Sequence, residues 1–249
     1  MKIIALTLVL FVLLTVFVSA FEHPKNAIRI SDSLYDLGEA NVKGEKLHGF
    51  MYVHRELKSS QKTSGARLPA CYSLMGPRWR ITEPYVLNTA NSRGLDDAFV
   101  SSVISTSMNS WDQRVSFQIF GPRDFFAVVD GSDSSAPDGK NEIYFGSISE
   151  PGVIAVTTVW GTFYGPKSSK KIVEFDMVFD QADFDWGNNQ SGKMDLQNIA
   201  THELGHAAGM DHPPNSCAEE TMFAYASEGE TKKRSLNSGD ITGIVKLYS

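Results

Sequence analysis

Two histidines four residues apart, then a glycine and a third histidine, fix the centre of this chain: Thr201-His202-Glu203-Leu204-Gly205-His206-Ala207-Ala208-Gly209-Met210-Asp211-His212. On a helix, residues four apart leave the same face, one turn above the other, so His202 and His206 can bring two imidazole nitrogens to one ion, as zinc sites require. Glu203 points about a quarter-turn away, too far aside to be a third ligand but within reach of water activated beside the metal, where a general base belongs. Gly209 accepts the left-handed conformation that ends helices, and Pro213-Pro214 cannot continue one, so His212 can fold back to the ion. Three histidine ligands leave a coordination position open, the pattern of catalytic rather than structural zinc. The same stretch as a mere amphipathic helix would need five fixed positions to match by chance, in roughly one chain of this length in 10⁵.

Met1 to Ala20 reads as a secretory signal: Lys2 supplies the positive end, Ile3 to Val18 is apolar apart from two threonines, and Val18-Ser19-Ala20 offers small residues for cleavage. The runner-up is an uncleaved membrane anchor, but the apolar run falls short of the roughly 20 residues that a span needs. The expected location is therefore outside the cell, with no stable membrane span after cleavage. The formal charge of −6 becomes −7 once Lys2 is removed, and no basic patch suited to nucleic acid is present.

Residues 21–70 read as an N-terminal extension or pro-segment. Its one amphipathic run, Leu47 to Leu57, carries His48, Tyr52 and His54 among charges without metal-site spacing, so the two histidines are expected at the surface. From Cys71 the pattern becomes regular, and residues 71–249 form the expected catalytic domain. Trp79 to Asn88 is extended, and Phe99, Val100, Val103, Ile104, Met108 and Trp111 follow helical spacing from Leu95 to Trp111. Strands are expected around Val115, Phe117 and Ile119 and at Phe125 to Val129, Glu142 to Phe145, Val153 to Trp160 and Ile172 to Phe179. The zinc helix starts near Lys193 to Asp195, with Leu196, Ala200, Leu204 and Ala207 opposite the histidines. Ser238 can cap a last helix carrying Ile241, Ile244, Val245 and Tyr248. The loop Asp130 to Asn141 has oxygen donors but no calcium-ligand ladder and reads first as a solvated turn. Glu174 and Asp176 read as a solvent-facing strand edge, and Asp180, Asp183 and Asp185 as a second weak calcium candidate. Calcium is thus a possible but poorly supported companion to zinc.

The pattern H-E-x-x-H-x-x-G-x-x-H is the metzincin signature. With strand, helix, four further strands, zinc helix and final helix in that order, residues from about Cys71 to Ser249 resemble the matrixins, the metzincin branch of the matrix metalloproteinases and their microbial relatives, and the chain reads as one of the latter. The resemblance implies an α+β fold with a five-stranded, mostly parallel twisted sheet and three helices, and zinc endopeptidase activity on a protein or peptide substrate, by a monomer. It implies that Met222 is the methionine of the turn beneath the zinc ligands. It further implies that an extended substrate pairs with the edge strand Val153-Ile154-Ala155-Val156-Thr157-Thr158 and that Ala224-Tyr225-Ala226 walls the specificity pocket. Pro213 stands where vertebrate members have Ser or Thr, and Gly239-Asp240 where they have paired acids. Ala224 stands where other metzincins carry a tyrosine, which leaves no tyrosine ligand expected.

Cys71 and Cys217 are the only cysteines. An even count in a secreted chain favours a disulfide; the rival is the inhibitory thiolate of matrix metalloproteinase pro-segments, which Pro69-Ala70-Cys71-Tyr72 resembles only in its proline. A second function class is a catalytically inactive, secreted zinc-binding interaction module.

Overall fold

In the computed structural model of the protein, residues 21–22, 24–57 and 70–249 are described; the segment read as a signal lies outside them. The elements run β1 (Ile28–Ser31), β2 (Leu34–Val42), β3 (Glu45–Glu56), β4 (Ser73–Leu74), β5 (Glu83–Leu87), α1 (Asp97–Asp112), β6 (Phe120–Asp124), β7 (Glu142–Gly146), β8 (Val153–Thr162), β9 (Lys171–Asp180), β10 (Trp186–Gly187), β11 (Met194–Asp195), α2 (Leu196–Ala207), β12 (Met210–Asp211), β13 (Tyr225–Ala226) and α3 (Ser238–Tyr248).

The fold is α+β, with three helices and a mixed sheet. Strands β6, β5, β7 and β9 lie parallel in that order, and β8 joins β9 antiparallel. The sheet does not stop there. β3 pairs antiparallel along β8, β2 and β1 follow, and β13 adds to β3, giving nine strands where five were expected. Three of the four extra strands come from the N-terminal extension, whose β2–β3 hairpin turns at Lys43 and Gly44, both with positive φ, as a right-twisted two-residue turn requires.

Helix α1 starts at Asp96, whose side chain accepts from the amides of Ala98 and Phe99. It buries Val100, Val103, Ile104, Met108 and Trp111, and the Trp111 indole donates to Thr201 O at 2.9 Å, fastening α1 to α2. The Trp79 indole donates to Ala207 O at 2.8 Å and holds the other end of α2. Asp195 caps α2 through the Asn198 amide and is itself paired with Arg234.

Three local expectations are corrected. No strand forms around Val115 to Ile119, because the Asp112 carboxylate accepts from Ile119 N at 2.7 Å and fixes a turn; the strand begins at Phe120. No strand forms at Phe125 to Val129 either, where the Asp124 side chain accepts from the Phe126 and Ala127 amides and leaves Phe125, Phe126 and Val128 exposed. The cap of α3 is Asn237 rather than Ser238, in a reciprocal capping box with Asp240. Cys71 and Cys217 are joined by a disulfide, so neither sulfur is a free thiol.

Candidate active site

Helix α2 puts His202 and His206 on one face, and at Gly209, with φ +101°, the chain reverses so that His212 returns to them. A Cβ at position 209 would also lie 2.7 Å from Pro77 O, so both conformation and space call for glycine. The Nε2 atom of His212 lies 3.0 Å from that of His206 and 3.2 Å from that of His202.

Each ring is oriented through its other nitrogen. His202 Nδ1 donates to Thr221 O at 2.7 Å, His206 Nδ1 to Met210 O at 3.0 Å, and His212 Nδ1 meets Ser33 Oγ at 3.1 Å. The protons of His202 and His206 are therefore on Nδ1, and the Nε2 lone pairs face one another. Burial holds all three imidazoles below their usual pKa, His206 down to about 3, so they are neutral as metal ligands must be. Converging, unprotonated nitrogens at these distances cannot satisfy each other. They fit a single zinc ion.

Glu203, on the same helix, is fully buried, and burial pushes its carboxyl up to about 8. Thr157 Oγ1 donates to Glu203 Oε2 at 2.6 Å, and His54 Nδ1 bonds to Glu203 Oε1 at 3.0 Å. Lys233 Nζ donates to His54 Nε2 at 3.0 Å, which leaves the His54 proton on Nδ1 and aimed at the glutamate. Lys233 is itself fully buried, donates to the carbonyls of Phe223 and Tyr225 at 2.5 and 2.7 Å, and is lowered to about 7 by that burial.

The strand β3 covers this site. Tyr52 stacks on His206 with ring centroids 4.2 Å apart, and His54 stacks on His202 at 3.8 Å. The expectation that His54 lies at the surface is thus overturned: it is 0% exposed, and Tyr52 beside it is 3% exposed. β3 also closes the histidine face of α2, so both faces of that helix are buried. The segment from Val153 to Thr158 is not a sheet edge, since β3 lies along it with His54 opposite Ala155 and Val53 opposite Val156. Tyr225 and Ala226 run parallel to β3 on its other side, opposite Arg55 and Glu56, and Ala224 O accepts from Arg55 N.

Met222 is fully buried against α2, where a Cβ on Gly205 would collide with its Sδ. The Asp240 carboxylate accepts from the amides of Thr221 and Met222 at 2.7 and 3.1 Å and pins the turn to α3. Replacing Met222 by leucine, of similar volume, is expected to cost less than about 1.5 kcal/mol and to leave zinc content unchanged in metal analysis. Loss of all zinc from a folded Met222→Leu protein would give the sulfur a more direct part.

The second carboxylate cluster departs from its sequence reading. Glu174 and Asp176 are buried, not solvent-facing, because the loop from Asp130 to Asn141 folds over them: Asp133 N donates to Asp176 Oδ2 at 2.8 Å, and Gly139 N donates to Glu174. Oxygens of Asp133, Glu174 and Asp176 lie within 4.8 Å of one another, and Glu174 Oε1 has no hydrogen-bond partner. Burial raises Glu174 to about 9 and Asp176 well above its usual range. The other acidic candidate is not such a site: Asp180 accepts from the amides of Ile148, Ala182 and Asp183, and Asp185 pairs with Arg93.

Sequence reasoning missed His54, Lys233, Ser33 and the pairing of Thr157 with Glu203. Lys233 sits in a run of three basic residues, Lys232 to Arg234, and His54 gains its place through pairing with a strand a hundred residues away.

The sequence profile of the matrixins matches residues 82–249, about two thirds of the chain. Human matrilysin is 28% identical over 186 residues, covering 71% of this chain and 61% of that protein. Metalloendoproteinase 1-MMP of Arabidopsis thaliana is 39% identical over 56 residues, 22% of this chain and 14% of its own. Rat matrilysin is 33% identical over 73 residues, 29% of this chain and 26% of its own.

Proposed function

Because the chain belongs to the matrixins, a family of zinc metalloendopeptidases, we propose that it is a secreted zinc endopeptidase that hydrolyses internal peptide bonds of proteins or peptides, and that residues 21–57 are a pro-segment keeping it latent. The observation that carries this reading is the convergence of three neutral imidazoles beside a buried carboxylate, with the chain's own β3 laid across them.

His202, His206 and His212 would hold the ion. Bound there, zinc supplies Lewis acidity, lowering the pKa of water to about 7 and polarising a carbonyl. Glu203 takes the proton of the attacking water and returns it to the leaving amine. Thr157 orients that carboxylate. β8 binds the substrate backbone by strand addition, and the segment from Ala224 to Ala226 lines the side-chain pocket. Met222 supports the floor. The N-terminal reading of Met1 to Ala20 as a signal supports secretion, and among the described residues no helix is long and apolar enough to cross a membrane.

Incubating the chain, cut between Leu57 and Ala70, with an unfolded protein substrate tests the activity. Hydrolysis should stop on chelation and return with added zinc. Full rate in excess chelator would exclude the proposal, and zinc binding without any hydrolysis would favour an inactive zinc-binding module.

The buried cluster of Asp133, Glu174 and Asp176 supports a calcium ion as second cofactor, since hard carboxylate oxygens suit that ion and one of them lacks a partner. Calcium at about a hundred times its Kd should stabilise by about 2.7 kcal/mol, a rise in Tm of about 5–10 °C for a domain of this size. The rise should vanish in Asp133→Asn. Equal Tm with and without calcium, in zinc-saturated protein, would remove the ion from the account.

A further inference from the structure

β3 crosses the site as an extended substrate would. It is antiparallel to β8, parallel to β13, and hydrogen-bonded to both sides: Arg55 N donates to Ala224 O, Glu56 N to Gly152 O and Leu57 N to Ala226 O. The one β3 side chain that enters between α2 and the segment from Phe223 to Tyr225 is His54. Its ring lies on His202, and its tip meets Lys233.

The ammonium of Lys233 has three donors. Two are taken by the carbonyls of Phe223 and Tyr225, and the third goes to His54 Nε2. Glu230, the nearest carboxylate, is 4.0 Å away, beyond hydrogen-bond reach. With β3 gone, the third donor faces the space His54 filled, and a buried donor left without an acceptor is costly. An apolar occupant would fill the pocket and leave that cost in place.

Resting on the peptidase reading above, we infer that Lys233 is the specificity-determining residue of this enzyme and selects substrates with glutamine or glutamate in the pocket that His54 occupies. The length follows from covalent structure: Nε2 of histidine is four bonds from Cα, as is Oε of glutamine and glutamate, whereas the side-chain oxygens of asparagine and aspartate fall one bond short. Lysine and arginine bring donors to a donor and are excluded. Glu203 and Glu230 flank the ammonium, so a neutral amide is accepted beside a carboxylate.

The full chain tests the demand for an acceptor without any catalysis. Hydrogen exchange at the amides of Arg55, Glu56 and Leu57 reports how firmly β3 is seated. His54→Gln should exchange close to the natural chain, whereas His54→Leu should exchange about ten- to a hundredfold faster, the range for a lost hydrogen bond to a charged group. In a Lys233→Met background the order should reverse. Equal protection in His54→Gln and His54→Leu would overturn the inference; because leucine also forfeits the bond to Glu203, the same pair is compared in a Glu203→Ala background if Lys233→Met fails to fold, and equal protection there would overturn it as well.

Peptides differing only at the pocket residue, given to the cut chain, then test the substrate. The kcat/KM for glutamine or glutamate should exceed that for leucine about tenfold or more, and Lys233→Met should invert the ratio. Cleavage with leucine preferred by the unaltered protein would overturn the selection. No cleavage of any peptide, with the exchange order as expected, would count against the peptidase reading and not against the acceptor demand of Lys233.

Discussion

Replacing Glu203 by alanine in the cut chain is expected to lower turnover by about 10²–10⁴ while zinc stays equimolar with protein. The two halves separate because Glu203 contributes no nitrogen to the metal cluster: the Nδ1 atoms of His202 and His206 are held by Thr221 O and Met210 O, neither of which involves the glutamate. The intact chain should show a second effect. There Glu203 accepts from both Thr157 and His54, and removing it strands two buried donors, at about 1–3 kcal/mol each. Kinetics and metal analysis on one preparation, with thermal unfolding of the uncut form, check all three. Unchanged turnover would end the general-base assignment.

The intact chain should hydrolyse protein substrates at about a thousandth of the rate reached after cutting between Leu57 and Ala70. A tethered segment acts at about millimolar effective concentration, so a free affinity of only about micromolar keeps the cleft closed some 10³-fold. The contacts support at least that. β3 is hydrogen-bonded along β8 from His48 to Arg55, and Tyr52 and His54 cover two imidazoles. His54 also occupies the oxygen of Glu203 that a water would otherwise approach. Progress curves before and after the cut measure the ratio. Equal rates would mean that β3 leaves the cleft unaided and that residues 21–57 are no pro-segment.

Latency of this kind needs no thiol. Cys71 is committed to Cys217, which fastens the start of the catalytic domain beside the turn that carries Met222. On the proposed reading the inhibitory contact would be the strand β3, with the His54 imidazole on Glu203. This divides the chain's labour between two kinds of residue. Residues after Cys71 supply the three imidazoles and Glu203, and those before Leu57 cover them, with Ser33 meeting the His212 ring.

What could be read from sequence was local. His202 and His206 share a face because a helix repeats every 3.6 residues, and Gly209 marks the reversal because few other residues tolerate φ +101°. Met222 was legible by distance from His212, and the disulfide by even count. What could not be read was non-local. His54 lies in a run whose charges suggest a surface strand, and only its pairing with β8, set by contacts about a hundred residues apart, buries it. Glu174 and Asp176 alternate with apolar neighbours as an exposed edge would, yet the loop from Asp130 to Asn141 covers them, a fact about loop path rather than pattern. In the run from Lys232 to Arg234, the flanking side chains keep 35% and 28% of their exposure while Lys233 has none. A short 3-10 turn points the middle residue inward, and no periodicity announces it.

Three imidazoles of this chain, those of His202, His206 and His212, are expected to hold a zinc ion beside Glu203, with no sulfur among the ligands. X-ray absorption at the zinc edge of the purified full chain tests it most directly. The expected spectrum has imidazole scattering from three nitrogens, no sulfur shell, and loss of one imidazole in His212→Ala. A zinc–sulfur shell, or a spectrum that His212→Ala leaves unchanged, would contradict it.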